Sequence, residues 1–325
     1  LGDLERPAAG PDIAVEDRLL RDYECRLNPD DRLYSPEELT ENAVGAQAIL
    51  PCHTERFSAD VFERLPPSVG IIANYSVGFD HVDVEAARKK GIVVTNTPDV
   101  LSDATAELTM MLMLGAARRA SEGERLVREG RWRDWSPAFM VGTQVTGKRL
   151  GVIGMGRVGQ VVARRARGFA MEIHYHNRRR LRPETEDAFE ATYWESLDQM
   201  VARMDVVSVN CPHTPSTFHL LNARRLKLMK PSAVLVNTSR GEVIDESALT
   251  RMLKAGELAG AGLDVYQHGI KGNPELVNMS NVVMLPHMGS ATIEGRIEMG
   301  EKVLLNVKTF ADGHRPPDQV VPAMH

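Results

Sequence analysis

Cysteine is scarce: Cys25, Cys52 and Cys211 are the only three in 325 residues, far apart and without a CxxC pair. That spacing excludes a disulfide framework and a cysteine metal site, and it suits a reducing cytoplasm. An excess of positive charge is also missing. The formal net charge is −5, which argues against a chain that wraps nucleic acid or lies on an anionic membrane. No apolar run is long enough to span a bilayer; the longest lies around Leu108–Ala117. The first ten residues, Leu1–Gly10, lack the basic and apolar regions of a signal peptide. The chain opens on Leu rather than Met, so further residues are expected to precede it.

What is present is alternation. Short apolar runs alternate with helical patterns, the signature of parallel sheets covered by helices. The first third offers strands in residues 48–52, 69–75 and 91–96, with a helical stretch over 81–91 that Gly91 would stop. A helix expected over Asp103–Arg119 is apolar almost all round, which predicts burial between two bodies. A loop-rich segment follows over 131–148. Six further strands are expected at 149–153, 171–175, 206–210, 233–237, 261–265 and 282–286, the usual content of a dinucleotide-binding sheet. The amphipathic pattern 290–310 would return the chain to the first domain. The reading is α/β: two doubly wound parallel-sheet domains, residues 103–287 inserted into a domain made of 1–102 and 288–325, with a cleft between them.

The segment Gly154-Met155-Gly156-Arg157-Val158-Gly159 has the spacing GxGxxG directly after one strand and at the start of a helix. There the motif has a mechanism: a tight turn, close backbone approach to a pyrophosphate, close helix packing, and free N–H groups at the helix N-terminus. About 20 residues later, NAD sites carry an acid for the ribose 2′-hydroxyl. Here the strand 171–175 leads into His176, Asn177, Arg178, Arg179 and Arg180. Guanidinium groups in place of the acid suit a 2′-phosphate. The expected cofactor is NADP(H), with NAD(H) weaker, and Arg178 and Arg179 are the first candidates; Arg180 and Arg182 are read as solvated.

Three residues follow strand ends on the ligand-binding edge: Arg240, Asp264 and His287. An Arg can hold a carboxylate and polarise a carbonyl, and a His can exchange the proton that accompanies a hydride. Together they point to reduction of a 2-keto acid. With 74–83, 95–107, 151–160, 237–241, 262–266 and 285–292 in this order, the chain resembles the D-isomer-specific 2-hydroxyacid dehydrogenases, in particular the glyoxylate/hydroxypyruvate reductase branch. The resemblance implies flavodoxin-like and Rossmann-like domains in a homodimer. It implies that Val77 and Gly78 offer N–H groups to the substrate carboxylate, that Arg240 binds carboxylate and carbonyl, that His287 is the general acid/base, and that Ser290 lies near the substrate. Thr105, Thr238 and Asp264 would line the nicotinamide; Cys211 and Pro212 would lie near the adenosine half, with Cys211 a wall residue. Asn74 and residues 135–139 are expected at the far end of the substrate. The homodimer is expected to form on the helix over 106–119 and on segment 131–140.

One position departs from the family. Five residues after Asp264 the family carries a Glu that pairs with the His; here Gly269 stands there, and Ile270 replaces the usual Pro. Two consequences are open: a nucleotide-binding regulator or scaffold with weakened turnover, or compensation by Gln267, His268 or Glu275. Without a carboxylate partner, reductive activity should decline earlier as pH rises.

Overall fold

The computed structural model describes residues 12–28, 32–269 and 273–321. They divide into two compact units: those up to Leu101 with those from Ala291 onward, and Ser102–Ser290. In the first unit, β1 (Ala48–Ile49), β2 (Ile71–Ala73) and β3 (Val93–Thr95) form a parallel sheet in that order. The strand expected over 48–52 ends early because Pro51 has no N–H to give to a ladder. Asp83 caps the helix Val84–Lys89 by accepting from the Ala86 N–H (2.9 Å), and Gly91 stops it at φ +75°. The helix Ile293–Ala311 packs Val303 and Val307 against Ile71 and Ala73. Its fit is close, since a Cβ on Gly300 would lie 2.2 Å from Val15 Cγ2 in the helix Asp12–Asp22.

The second unit holds seven parallel strands among the described residues: β4 (Arg149–Ile153), β5 (Glu172–His176), β6 (Thr192–Tyr193), β7 (Val206–Val209), β8 (Val234–Asn237), β9 (Gly260–Leu263) and β10 (Val282–Met284). They run β6-β5-β4-β7-β8-β9-β10. Every residue of β7, β8 and β9 is buried, as strands covered on both faces must be. Sequence periodicity misses β6, a two-residue edge strand too short to show alternation. The order reverses between β4 and β7, and that reversal opens a crevice beyond the strands' C-terminal ends.

The apolar helix, Ser102–Ala117, finds its partners inside this unit. Leu112 and Met113 are fully buried in one core with Leu150, Val152 and Val236. A Cβ on Gly262 would come 2.8 Å from Leu112 Cβ, so glycine in β9 sets the approach. Burying each such side chain stabilises by about 1.5–3 kcal/mol. Much of its apolar surface packs on its own sheet, and Met111 is the large side chain left exposed. The exposed apolar surface lies further on, at Val127, Trp132, Trp135, Phe139 and Val141. There the helix Ala120–Arg128, which buries none of its residues, leads into the irregular segment 131–141.

Candidate active site

At the reversal point, the glycines of the turn after β4 divide the work. Gly154 has φ +93°, and a Cβ there would sit 2.7 Å from the Cys211 N, so the turns after β4 and β7 are in backbone contact. A Cβ on Gly159 would lie 2.3 Å from the Gly154 carbonyl oxygen. Gly156 differs: a Cβ there would meet nothing within 4 Å. The first and last glycines are required by protein packing, and the middle one faces open space at the N-terminus of the helix Arg157–Gly168, whose N-cap makes no side-chain bond. That is the arrangement a pyrophosphate needs. Val158 packs beneath it against the core, and Met155 is fully buried. Pro212 and Cys211 follow β7, and burial pushes the Cys211 thiol up to about 11, so it stays protonated at neutral pH.

The arginine run sorts itself. Asn177 Oδ1 accepts from the Met155 N–H at 2.7 Å, tying the end of β5 to the glycine turn. Arg178 and Arg179 are exposed and have no hydrogen-bond or ion-pair partner among the described residues. Arg180 differs from the expectation that it is only solvated: it grips Glu186 with Nη2–Oε2 at 2.7 Å.

At the far end of the same sheet edge stand the turns after β8, β9 and β10. Asn237 Oδ1 accepts from the N–H and hydroxyl of Ser239, and its Nδ2 donates to the Arg240 carbonyl (2.9 Å), so the buried amide shapes the turn that carries Arg240. A Cβ on Gly241 would lie 2.1 Å from the Tyr266 carbonyl carbon, which presses this turn onto the one after β9. Tyr266 donates to the carbonyls of Leu263 (3.1 Å) and Leu285 (2.8 Å), joining β9 to β10. Asp264 accepts from the N–H groups of Met288 and Gly289, both at 2.8 Å, and holds the turn in which His287 sits at φ +55°. Burial raises the Asp264 pKa while these N–H groups oppose the rise. Asp264 therefore positions the His287 turn, a role sequence reasoning did not assign. Thr109 is a second omission: fully buried, it bonds Thr238 Oγ1 (2.8 Å) and the Thr105 carbonyl (2.8 Å), while Thr105 Oγ1 donates to the Gly289 carbonyl (3.3 Å). Ser290 follows directly, half-buried.

In the first unit, Asn74 is fully buried. Its Nδ2 donates to the Gly78 carbonyl (3.0 Å), and Asn96 donates to that of Val77 (2.9 Å). With both carbonyls tied down, no hydrogen bond among the described residues uses the Val77 or Gly78 N–H.

A family model described as "D-isomer specific 2-hydroxyacid dehydrogenase, NAD binding domain" matches residues 110–289. The chain belongs to this family. It is 43% identical to the glyoxylate reductase of Thermococcus gammatolerans over 94% of this chain and 91% of that one. Among solved structures, a glyoxylate reductase from Paecilomyes thermophila has a TM-score of 0.85 and 36% identity, covering 100% of this chain and 97% of its own. An NADPH-dependent glyoxylate/hydroxypyruvate reductase from Sinorhizobium meliloti, solved with NADP and malonate, has a TM-score of 0.82 and 32% identity, covering 94% and 93%. The chain is an NAD(P)-dependent dehydrogenase whose chemistry is 2-keto acid reduction.

Gly269 is exposed at φ +65°, a left-handed conformation that costs an L-residue roughly 1–2 kcal/mol. Of the expected substitutes, Glu275 pairs with Lys254 at 3.0 Å on the surface, and Gln267 Oε1 bonds His219 Nε2 at 3.1 Å. His268 is exposed. Gly241→Ala, with a Cβ driven into the Tyr266 backbone, is expected to destabilise by about 1–3 kcal/mol and to lower turnover. A thermal melt that matches the unmutated protein would count against the close approach.

Proposed function

We propose that this dehydrogenase uses NADPH to reduce a small 2-keto acid such as glyoxylate or hydroxypyruvate to its D-2-hydroxy acid. The observation that carries the reading is the linkage of the Arg240 and His287 turns at the C-terminal ends of β8 and β10, through Gly241, Tyr266 and Asp264. A bound nicotinamide would supply the hydride. Arg240 binds the substrate carboxylate and polarises the carbonyl, and His287 gives its proton to the carbonyl oxygen as the hydride reaches the carbon. The reading assigns the N–H groups of Val77 and Gly78 to the carboxylate and places Ser290 nearby. Thr105, Thr238 and Asp264 belong to the nicotinamide end, residues 154–159 to the pyrophosphate, Asn177, Arg178 and Arg179 to the 2′-phosphate, and Cys211 and Pro212 to the adenosine. The three free cysteines suit the cytoplasm. NADPH oxidation with glyoxylate, hydroxypyruvate and 2-ketogluconate tests the reading: turnover with at least one, lost in Arg240→Ala, supports it, and no turnover with any refutes it.

The assembly proposed with it is a homodimer on the helix Ser102–Ala117 and the segment 131–140, where Trp132, Trp135 and Phe139, with Val127 and Val141 beside them, are exposed. Trp135 is 77% exposed, a cost in water that a symmetric contact would remove. Light scattering is expected to give twice the chain mass, and Trp135→Ser should weaken the dimer. A monomer mass at micromolar concentration contradicts this.

A further inference from the structure

The loop that carries Arg178 and Arg179 is fastened at both ends. At its start Asn177 Oδ1 holds the Met155 N–H. At its end Arg180 donates from Nε to Glu186 Oε1 (2.9 Å) and from Nη2 to Oε2 (2.7 Å), and the Leu181 N–H donates to Tyr175 Oη at 3.0 Å. Tyr175 in turn donates to Glu186. Glu186 and Tyr175 are buried, while the Arg180 guanidinium also lies over the Tyr193 ring, 5.6 Å from its centroid. Hydrogen bonds from Arg180 and Tyr175 hold the Glu186 carboxyl down to about 2, so it is ionised across the physiological range. A buried carboxylate placed under a cationic loop normally works against anion binding. Here its charge is fully taken up by Arg180.

We propose that Glu186 is a specificity-determining positioning residue: by clamping Arg180 it fixes the loop so that Arg178 and Arg179, and not Arg180, meet the 2′-phosphate of the cofactor. The proposal rests on the NADP(H) reading above. The pairing divides three consecutive arginines into one structural and two available, and two guanidinium groups match one dianionic phosphate. A loop backbone held at both ends spares part of the cost of ordering on binding.

Calorimetry with 2′-phospho-ADP-ribose and with ADP-ribose tests this without turnover. In Glu186→Gln, the Kd for 2′-phospho-ADP-ribose should rise about three- to tenfold, the equivalent of one or so side chains to be ordered. The Kd for ADP-ribose should stay within about twofold. Arg180→Met, which also leaves the Glu186 carboxylate unpaired beneath the loop, should give at least as large a loss, and the double variant with Glu186→Gln no more than Arg180→Met alone. Three results overturn the proposal. Equal losses for both ligands would mean Glu186 only supports the fold. Unchanged or tighter phosphate binding in Glu186→Gln, with a loss in Arg180→Met, would make Arg180 itself the phosphate ligand. An unmutated protein that binds both ligands equally would overturn the cofactor reading, and the proposal with it, before any variant is made.

Discussion

His287→Gln is expected to lower reductive kcat by about 10²–10⁴-fold, the range a positioned general acid contributes, with much smaller effects on cofactor binding. The expectation follows from where the side chain stands. Its backbone is held left-handed in a turn tied to Asp264, so the imidazole starts from a fixed point at the sheet edge that also carries Arg240. If His287 is the proton donor, reduction needs it protonated, and a neighbouring carboxylate would keep the proton on to higher pH. Gly269 itself brings no carboxylate to this position. On the proposed role, reductive kcat/KM should fall once His287 loses its proton as pH rises, while oxidation of the hydroxy acid, which needs neutral His287, suffers less. Gly269→Glu should move the reductive limb upward by about one pH unit or more, at a modest stability cost from the left-handed backbone. A reductive profile flat to pH ~8 and unmoved by Gly269→Glu would show that the imidazole does not depend on this position.

The cofactor preference should be the other large effect. NADPH is expected to exceed NADH in kcat/KM by more than about tenfold, since each charge-assisted bond to a phosphate contributes roughly 1.5–3 kcal/mol. Arg178→Ala combined with Arg179→Ala should abolish the preference through the KM for NADPH and spare turnover with NADH. The two side chains are suited to this because they are exposed and uncommitted among the described residues, next to an Asn where an NAD site has an acid. Equal kcat/KM for the two cofactors in the unmutated protein would refute the assignment.

Much of this was written along the chain. The apolar runs of β4, β7, β8, β9 and β10 and the glycine spacing at 154–159 are local signals. A buried parallel strand has few ways to look other than apolar, and a tight turn against a phosphate tolerates little but glycine. Arg240, Asp264 and His287 were legible for the same reason, each lying just past a recognisable strand. What the chain could not disclose was which partner each group meets. That the Ser102–Ala117 helix packs Leu112 against Gly262 is not in the sequence, because apolarity does not say what covers it. The four arginines near the end of β5 look alike until Glu186, six residues beyond Arg180, is folded under one of them. Asp264 reads as a wall of the cofactor site until its oxygens are found on the Met288 and Gly289 N–H groups, 24 and 25 residues away. Periodicity is set by neighbours in sequence and can be read from it. Hydrogen-bond partnership and burial are set by neighbours in space, and at these positions only the tertiary structure decides them.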